Sequence, residues 1–228
     1  MKAELSIDTA SDFGSIALSV EGRACDELTW HCPRNHSVEL LPAVQRMMER
    51  AAVARGDLSA VFVCSGPGGY ASLRVGVSTA KGLAFALGVP LVGVGRLEIE
   101  AYPLAAAGRI LCPLHRAGRA EVAWALYGGP AEGWRELSSP ALAPLEDVVR
   151  LAPADALFCG EDMDRLTAPL RDLGVAEGRL AAPSPRRASL LAELAWRRLV
   201  AGHTDDPASV TPLYLREPAI GPQPTPST

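Results

Sequence analysis

Two short runs carry residue types that handle phosphate. Asp8-Thr9 closes an alternating run that starts at Lys2, and Gly66-Pro67-Gly68-Gly69 stands between an apolar run, Ala60 to Cys64, and a stretch of small residues. Glycines accept φ > 0 and Pro67 fixes one torsion, so the chain must turn sharply there. A turn of this kind leading into a helix gathers backbone N–H groups and a helix N-terminus at one point, which suits an anion. The same residues serve equally well as a tight connection, and a turn-capping role accounts for Asp8 taken alone. The turn is not a Walker loop, which needs Gly-Lys-Ser/Thr where this chain has Ser72-Leu73-Arg74. Nor do Gly66, Gly68 and Gly69 have the spacing of the dinucleotide fingerprint.

The remaining chemistry-bearing residues are sparse. Cys25, His31, Cys32 and His36 give C-x5-H-C-x3-H, which matches no usual zinc spacing and reads as a hairpin-to-helix connection. His36 reads as a cap or a solvated residue, and His115 and His203 are isolated. Glu161, Asp162 and Asp164 cluster at a helix start, where acids favour the dipole. No Ser/His/Asp constellation stands out, so neither a metal centre nor a catalytic residue is expected.

These residues need a scaffold, and the chain supplies an α/β one. Lys2–Ile7, Ser15–Val20 and Ala24–Thr29 alternate as strands, with Glu21-Gly22-Arg23 as a hairpin turn. A helix from about Ser37 to Arg55 carries Leu40, Leu41, Val44, Met47, Met48 and Ala51 on a 3.6-residue stripe. The Ala60 strand, a helix from about Ser72 and a short strand Leu91–Val94 follow. The second half repeats the order: strands at Arg109–Leu114, Glu121–Tyr127 and Trp134–Leu137, a helix Leu145–Leu151, a strand Ala156–Cys159, and helices Met163–Leu173 and Ser189–Ala201. Two similar lobes are therefore expected, over residues 1–100 and 101–204, with a return segment 205–216 and a disordered, proline-rich tail 217–228.

With 228 residues, 48% hydrophobic and 21% charged, the composition is that of a globular protein. A net charge of −4 argues against a protein that grips nucleic acid by itself. Cys64, Cys112 and Cys159 lie in apolar runs and read as buried free thiols. With no apolar leader near the N-terminus and no run able to span a bilayer, a cytoplasmic setting without membrane contact is expected.

Taken in order, four motifs resemble the TsaB (YeaZ) family over roughly residues 1–216. They are Ile7-Asp8-Thr9-Ala10, Cys32-Pro33-Arg34-Asn35-His36-Ser37, Gly66-Pro67-Gly68 with Leu73-Arg74-Val75-Gly76, and Pro212-Leu213-Tyr214-Leu215-Arg216. The resemblance implies two lobes of the actin/Hsp70-ATPase (ribonuclease H-like) type, each a mixed sheet with helices. It further implies a non-catalytic subunit that pairs with the catalytic homologue TsaD and acts with the ATPase TsaE. Their complex threonylcarbamoylates adenosine 37 of tRNAs reading ANN codons. ATP and metal then belong to the partner subunits, no cofactor to this chain, and tRNA is met only through the complex.

In TsaD the segment after the glycine-turn helix resembles P-L-x-x-V-x-H-x-x-x-H, whose histidines bind a metal. Here Arg96 and Glu100 hold those two places, and an i, i+4 pair of this kind suits a surface ion pair worth a few tenths of a kcal/mol. Asp8, Thr9, Gly66, Gly68 and Gly69 are then a vestigial nucleotide loop. The chain also departs from its family. Gly69-Tyr70-Ala71-Ser72 replaces Ser-Phe-Thr-Gly, and Arg116 stands where an Asp is usual.

The family resemblance makes the first two long helices a partner-binding surface, formed as a four-helix bundle with TsaD or with a second copy. Leu40, Val44, Met47, Met48, Val75, Thr79 and Leu83 are its expected contacts, and a charge at Val44 or Thr79 is expected to abolish pairing while the monomer stays folded. The alternatives are an ATP- and metal-dependent transferase or kinase of the same fold, a peptidase, and a self-associating homodimer with another role.

Overall fold

The structure, a computed structural model, describes residues 2–118, 120–129 and 133–216. The tail expected to be disordered lies outside them. The alternating runs fold as strands β1 (Ala3–Asp8), β2 (Phe13–Val20) and β3 (Arg23–His31). Helix α1 (His36–Arg50), β4 (Leu58–Gly66), α2 (Tyr70–Leu87) and β5 (Leu91–Gly95) complete the first sheet, ordered β3-β2-β1-β4-β5. β1 is antiparallel to β2 and parallel to β4, so it is central and buried along its whole length. Leu5 and Ile7 meet Leu18 and Ile16 across the β1–β2 register.

A short helix α3 (Arg96–Ala101) leads to the second lobe. There β6 (Leu111–Ala117), β7 (Glu121–Gly128), β8 (Arg135–Pro144), α4 (Leu145–Leu151), β9 (Leu157–Cys159), α5 (Met163–Asp172) and α6 (Ala188–Val200) follow. The second sheet runs β8-β7-β6-β9, the order of the first sheet without its last strand. The repeat read from the sequence is therefore a repeat of topology.

The packing crosses the expected units 1–100 and 101–204. Leu97 and Ala101 of α3 join the second sheet's core with Leu111 and Ala123. Leu191, Leu194 and Ala195 of α6 pack on Phe62 and Val92 of the first. Each sheet thus borrows a helix from the other half of the chain. After α6 the chain returns to the first lobe, where Gly93 N–H donates to Asp205 (2.6 Å), Lys81 to the Val210 carbonyl (2.8 Å) and Leu213 N–H to the Ser65 carbonyl (2.7 Å).

Two boundaries differ most from expectation. α1 ends at Arg50, not Arg55, because Ala52 takes φ +53° and a Schellman closure forms: Val53 N–H donates to the Met48 carbonyl and Ala52 N–H to Glu49. β8 runs through Ser138-Ser139-Pro140, because an edge strand with irregular pairing tolerates proline. Among the described residues no helix is long and apolar enough to cross a membrane.

Candidate functional site

The strand ends, the glycine turn and α3 converge between the lobes on a buried charge seam. Asp8, at the end of β1, accepts from Ala10 N–H (2.9 Å) and from the Arg186 Nε (2.9 Å). Arg186 also donates to Ser11 Oγ (3.1 Å) and pairs with Glu161, and its Nη1 lies 3.6 Å from Glu100. Arg96 donates to Glu100 (2.7 Å), to Glu161 (2.8 Å), to the Ala10 carbonyl (3.3 Å) and to His115 Nε2 (3.0 Å). His115 Nδ1 meets Asp162 (2.7 Å), which also accepts Arg116 N–H (2.9 Å).

These contacts fix protonation. A guanidinium only donates, so His115 accepts on Nε2 and its proton sits on Nδ1 facing Asp162. Burial, and then the Arg96 charge, accordingly hold the His115 pKa below its ordinary value. Burial alone would raise the Asp8 carboxyl, but the charge and hydrogen bonds of Arg186 outweigh it and leave it lowered. Asp162 is lowered as well: its hydrogen bonds from His115 and Arg116 N–H overcome burial.

Several expectations change here. Arg96 and Glu100 are not a surface pair: their side chains are 1% and 0% exposed. One turn of α3 sets both on the face that looks into the seam, and removing one partner of such a pair costs about 3–5 kcal/mol rather than tenths. His115 is a bridge rather than an isolated residue. Glu161 and Asp162 serve the seam instead of merely favouring a helix dipole. His36 is buried, with Nε2 2.9 Å from the Ser11 carbonyl, so it is not solvated. Cys25 donates to the Leu18 carbonyl, His31 packs on Phe13 and Cys32 is buried, so those side chains go to separate neighbours. Cys64, Cys112 and Cys159 are buried free thiols.

The loops that resemble a nucleotide site are occupied by one another. Thr9 Oγ1 donates to the Ser72 carbonyl (2.7 Å) and Gly69 N–H to the Ala10 carbonyl (3.2 Å). A Cβ on Gly68 would lie 2.2 Å from the Ala10 carbonyl oxygen, and one on Gly76 2.3 Å from Thr9 Oγ1, so glycine is required at both for close approach. Outside them lies a cleft of about 440 Å³ floored by Arg96, His115 and Glu161. Arg186 was not legible from sequence: it stands 178 residues from Asp8 with no motif around it.

The second candidate region is the surface of α1 and α2. Of the seven expected contacts, Val44, Met48 and Leu83 line one groove of about 800 Å³ between the helices. Leu40 and Met47 face the sheet and are buried, and Val75 and Thr79 are half-buried. The outward apolar residues are others: Val38 (69% exposed) and Leu41 (54%) on α1, and Phe85 (80%) on α2. The stripe read in the sequence is thus largely the core-facing side of α1, and Val38 and Leu41, three residues apart, are the apolar residues it leaves outward. Val44 is 5% exposed, so a charge there would disrupt the fold itself.

Two mixed sheets of repeated topology around a charged seam define the two-lobed α/β class of the actin/Hsp70-ATPase, ribonuclease H-like type. YeaZ from Pseudomonas aeruginosa superposes with a TM-score of 0.79 and 28% identity, covering 94% of this chain and 100% of that one. A family model described as TsaD, tRNA N6-adenosine threonylcarbamoyltransferase, matches residues 31–167. The tRNA threonylcarbamoyladenosine biosynthesis protein TsaB of Bacillus subtilis is 32% identical over 221 residues, 93% of each chain. A tRNA N6-adenosine threonylcarbamoyltransferase of Anaeromyxobacter dehalogenans is 51% identical over 65 residues, 28% of this chain and 20% of that protein. The chain belongs to the TsaB (YeaZ) family.

Proposed function

We propose that this chain is a non-catalytic scaffold subunit in tRNA threonylcarbamoyladenosine biosynthesis, working in the cytoplasm. It binds a TsaD homologue through the α1–α2 surface and acts with a TsaE ATPase, so that the complex modifies adenosine 37 of tRNAs reading ANN codons. ATP and metal are held by those partners, and tRNA is met through the assembled complex.

One observation carries this reading. At the two places where the resemblance to TsaD calls for metal-binding histidines, the chain has Arg96 and Glu100, locked together and to Arg186 and Glu161. Arginine has no lone pair with which to ligate a metal, so the implied metal does not fit here. The exposed apolar residues Val38, Leu41 and Phe85 around an apolar groove supply the kind of surface that a scaffold uses. The same surface would serve a homodimer.

The test is reconstitution. The chain alone, given ATP, metal, threonine, bicarbonate and tRNA with the enzyme that forms the adenylate, should transfer nothing. Adding the TsaD and TsaE of the same organism should give activity that falls when this chain is left out. Transfer by the chain without TsaD, or activity indifferent to the chain, would overturn the reading.

A further inference from the structure

The loop between β1 and β2, residues 9–12, touches both helices of the proposed partner surface at their N-terminal ends. On the α2 side, Thr9 Oγ1 donates to the Ser72 carbonyl (2.7 Å) and Gly69 N–H to the Ala10 carbonyl (3.2 Å). A Cβ on Gly76 would fall 2.3 Å from Thr9 Oγ1, so its absence lets α2 come this close. On the α1 side, Cys32 N–H donates to the Asp12 carbonyl (2.7 Å), and His36, the first residue of α1, meets the Ser11 carbonyl through Nε2 (2.9 Å). The seam holds the same loop from behind: Arg96 donates to the Ala10 carbonyl (3.3 Å) and Arg186 to Ser11 Oγ (3.1 Å).

His36 shows that this tie is specific. A carbonyl only accepts, so Nε2 carries the proton and Nδ1 is an acceptor. Nδ1 is buried and has no partner among the described residues. A buried acceptor without a donor is destabilising, and leucine, of similar bulk, would fill the space without one. The imidazole is therefore explained by its one bond to the loop rather than by packing. Away from the loop the helices part: the apolar groove lies between Val44 and Met48 of α1 and Leu83 and Leu87 of α2, toward their C-terminal ends. The pair is fastened at one end and open at the other.

We propose that the β1–β2 loop is the positioning element of the α1–α2 surface. It sets the two helices relative to each other, and through Arg96 and Arg186 it ties that setting to the seam. Because one loop serves both helices, loosening its hold on one loosens the other. The inference rests on the scaffold reading only for its effect on a partner; the positioning is a property of the chain alone.

Hydrogen exchange on the full chain by itself tests this with two variants. Thr9→Val keeps the shape and loses the donor to Ser72; His36→Leu keeps the bulk and loses the bond to Ser11. Each is expected to speed exchange about fivefold or more in the N-terminal halves of both helices. Acceleration confined to the helix whose own bond was removed, or none at all, would overturn the proposal. Both variants should also bind the TsaD homologue of the same organism about fivefold or more weakly than the parent. Leu166→Ala, a cavity in the core of the second lobe, should lower the melting temperature and leave that affinity unchanged. Equal weakening by Leu166→Ala would reduce the effect to general destabilisation and would also overturn the proposal. A parent chain that does not bind TsaD would sink the scaffold reading instead, and the exchange result would still decide the positioning role.

Discussion

The seam between the lobes and the α1–α2 surface are opposites. In the seam the principal charges are met from within the chain: two buried arginines, Arg96 and Arg186, serve Asp8, Glu100 and Glu161. On the α1–α2 surface, Val38, Leu41 and Phe85 lie open to solvent beside an apolar groove. A region that satisfies itself holds a shape, and a region that does not is available to something else. The loops that resemble a phosphate site are closed on each other, and the surface proposed to bind a partner lies on α1 and α2.

The largest effect expected from breaking this contrast is at Arg186. Arg186→Ala leaves Asp8 and Glu161 without their shared cation and should cost about 3–5 kcal/mol. At roughly 2–4 °C per kcal/mol for a chain of this size, the melting temperature should fall by on the order of 10 °C. A fall of a degree or two would mean that the seam is not the structural lock described here.

On the open surface the expectation is reversed. Leu41→Asp with Phe85→Asp should weaken association by about 2 kcal/mol or more, as for truncated interface anchors, while the melting temperature of the monomer stays put. Val44→Asp should instead unfold the chain, since Val44 is packed in the first core. Melting curves and light scattering on the same samples separate the two outcomes.

Gly76→Ala sharpens the comparison where the two regions meet. Its Cβ would fall on Thr9 Oγ1, so overpacking should cost about 1–3 kcal/mol despite alanine's better helix propensity. Adding Thr9→Ala should return part of that loss. Additivity of the two changes in chemical denaturation would contradict the close contact.

The smallest effect is on pH dependence. His115 titrates below its ordinary 6.5 in the folded chain. The unfolded chain therefore takes up the proton first, and stability should decline as pH falls from about 6.5 toward the folded value. The carboxylates Asp8 and Asp162, both lowered, add their loss only at pH below the ordinary 3.8. His115→Gln should flatten the first part of a stability-against-pH curve and leave the acid part in place.

The sequence pattern made much of this fold legible. Alternation marked the strands, the 3.6-residue stripe marked α1, and the repeat of order anticipated two sheets of like topology. The misses have local causes. Ala52 ends α1 in a left-handed turn without the glycine that would announce it. Pro140 looks like a break, yet lies in an edge strand. The seam was legible only in pieces. Arg96 and Glu100 have surface-type side chains at surface-type spacing, and nothing local tells that Arg186 and Glu161 close over them. Of the residues expected to meet a partner, Leu40, Val44, Met47 and Met48 are buried in the chain's own core, because periodicity marks an apolar face without saying what covers it.

The central claim is that this chain works by presenting α1 and α2 to a catalytic partner. Gel filtration with light scattering, on the chain mixed with the TsaD homologue of its own organism, tests it most directly. The parent chain is predicted to give a complex with TsaD, and the Leu41→Asp, Phe85→Asp chain to elute separately while still folded. A complex that survives both changes, or a parent chain that does not associate, would contradict it.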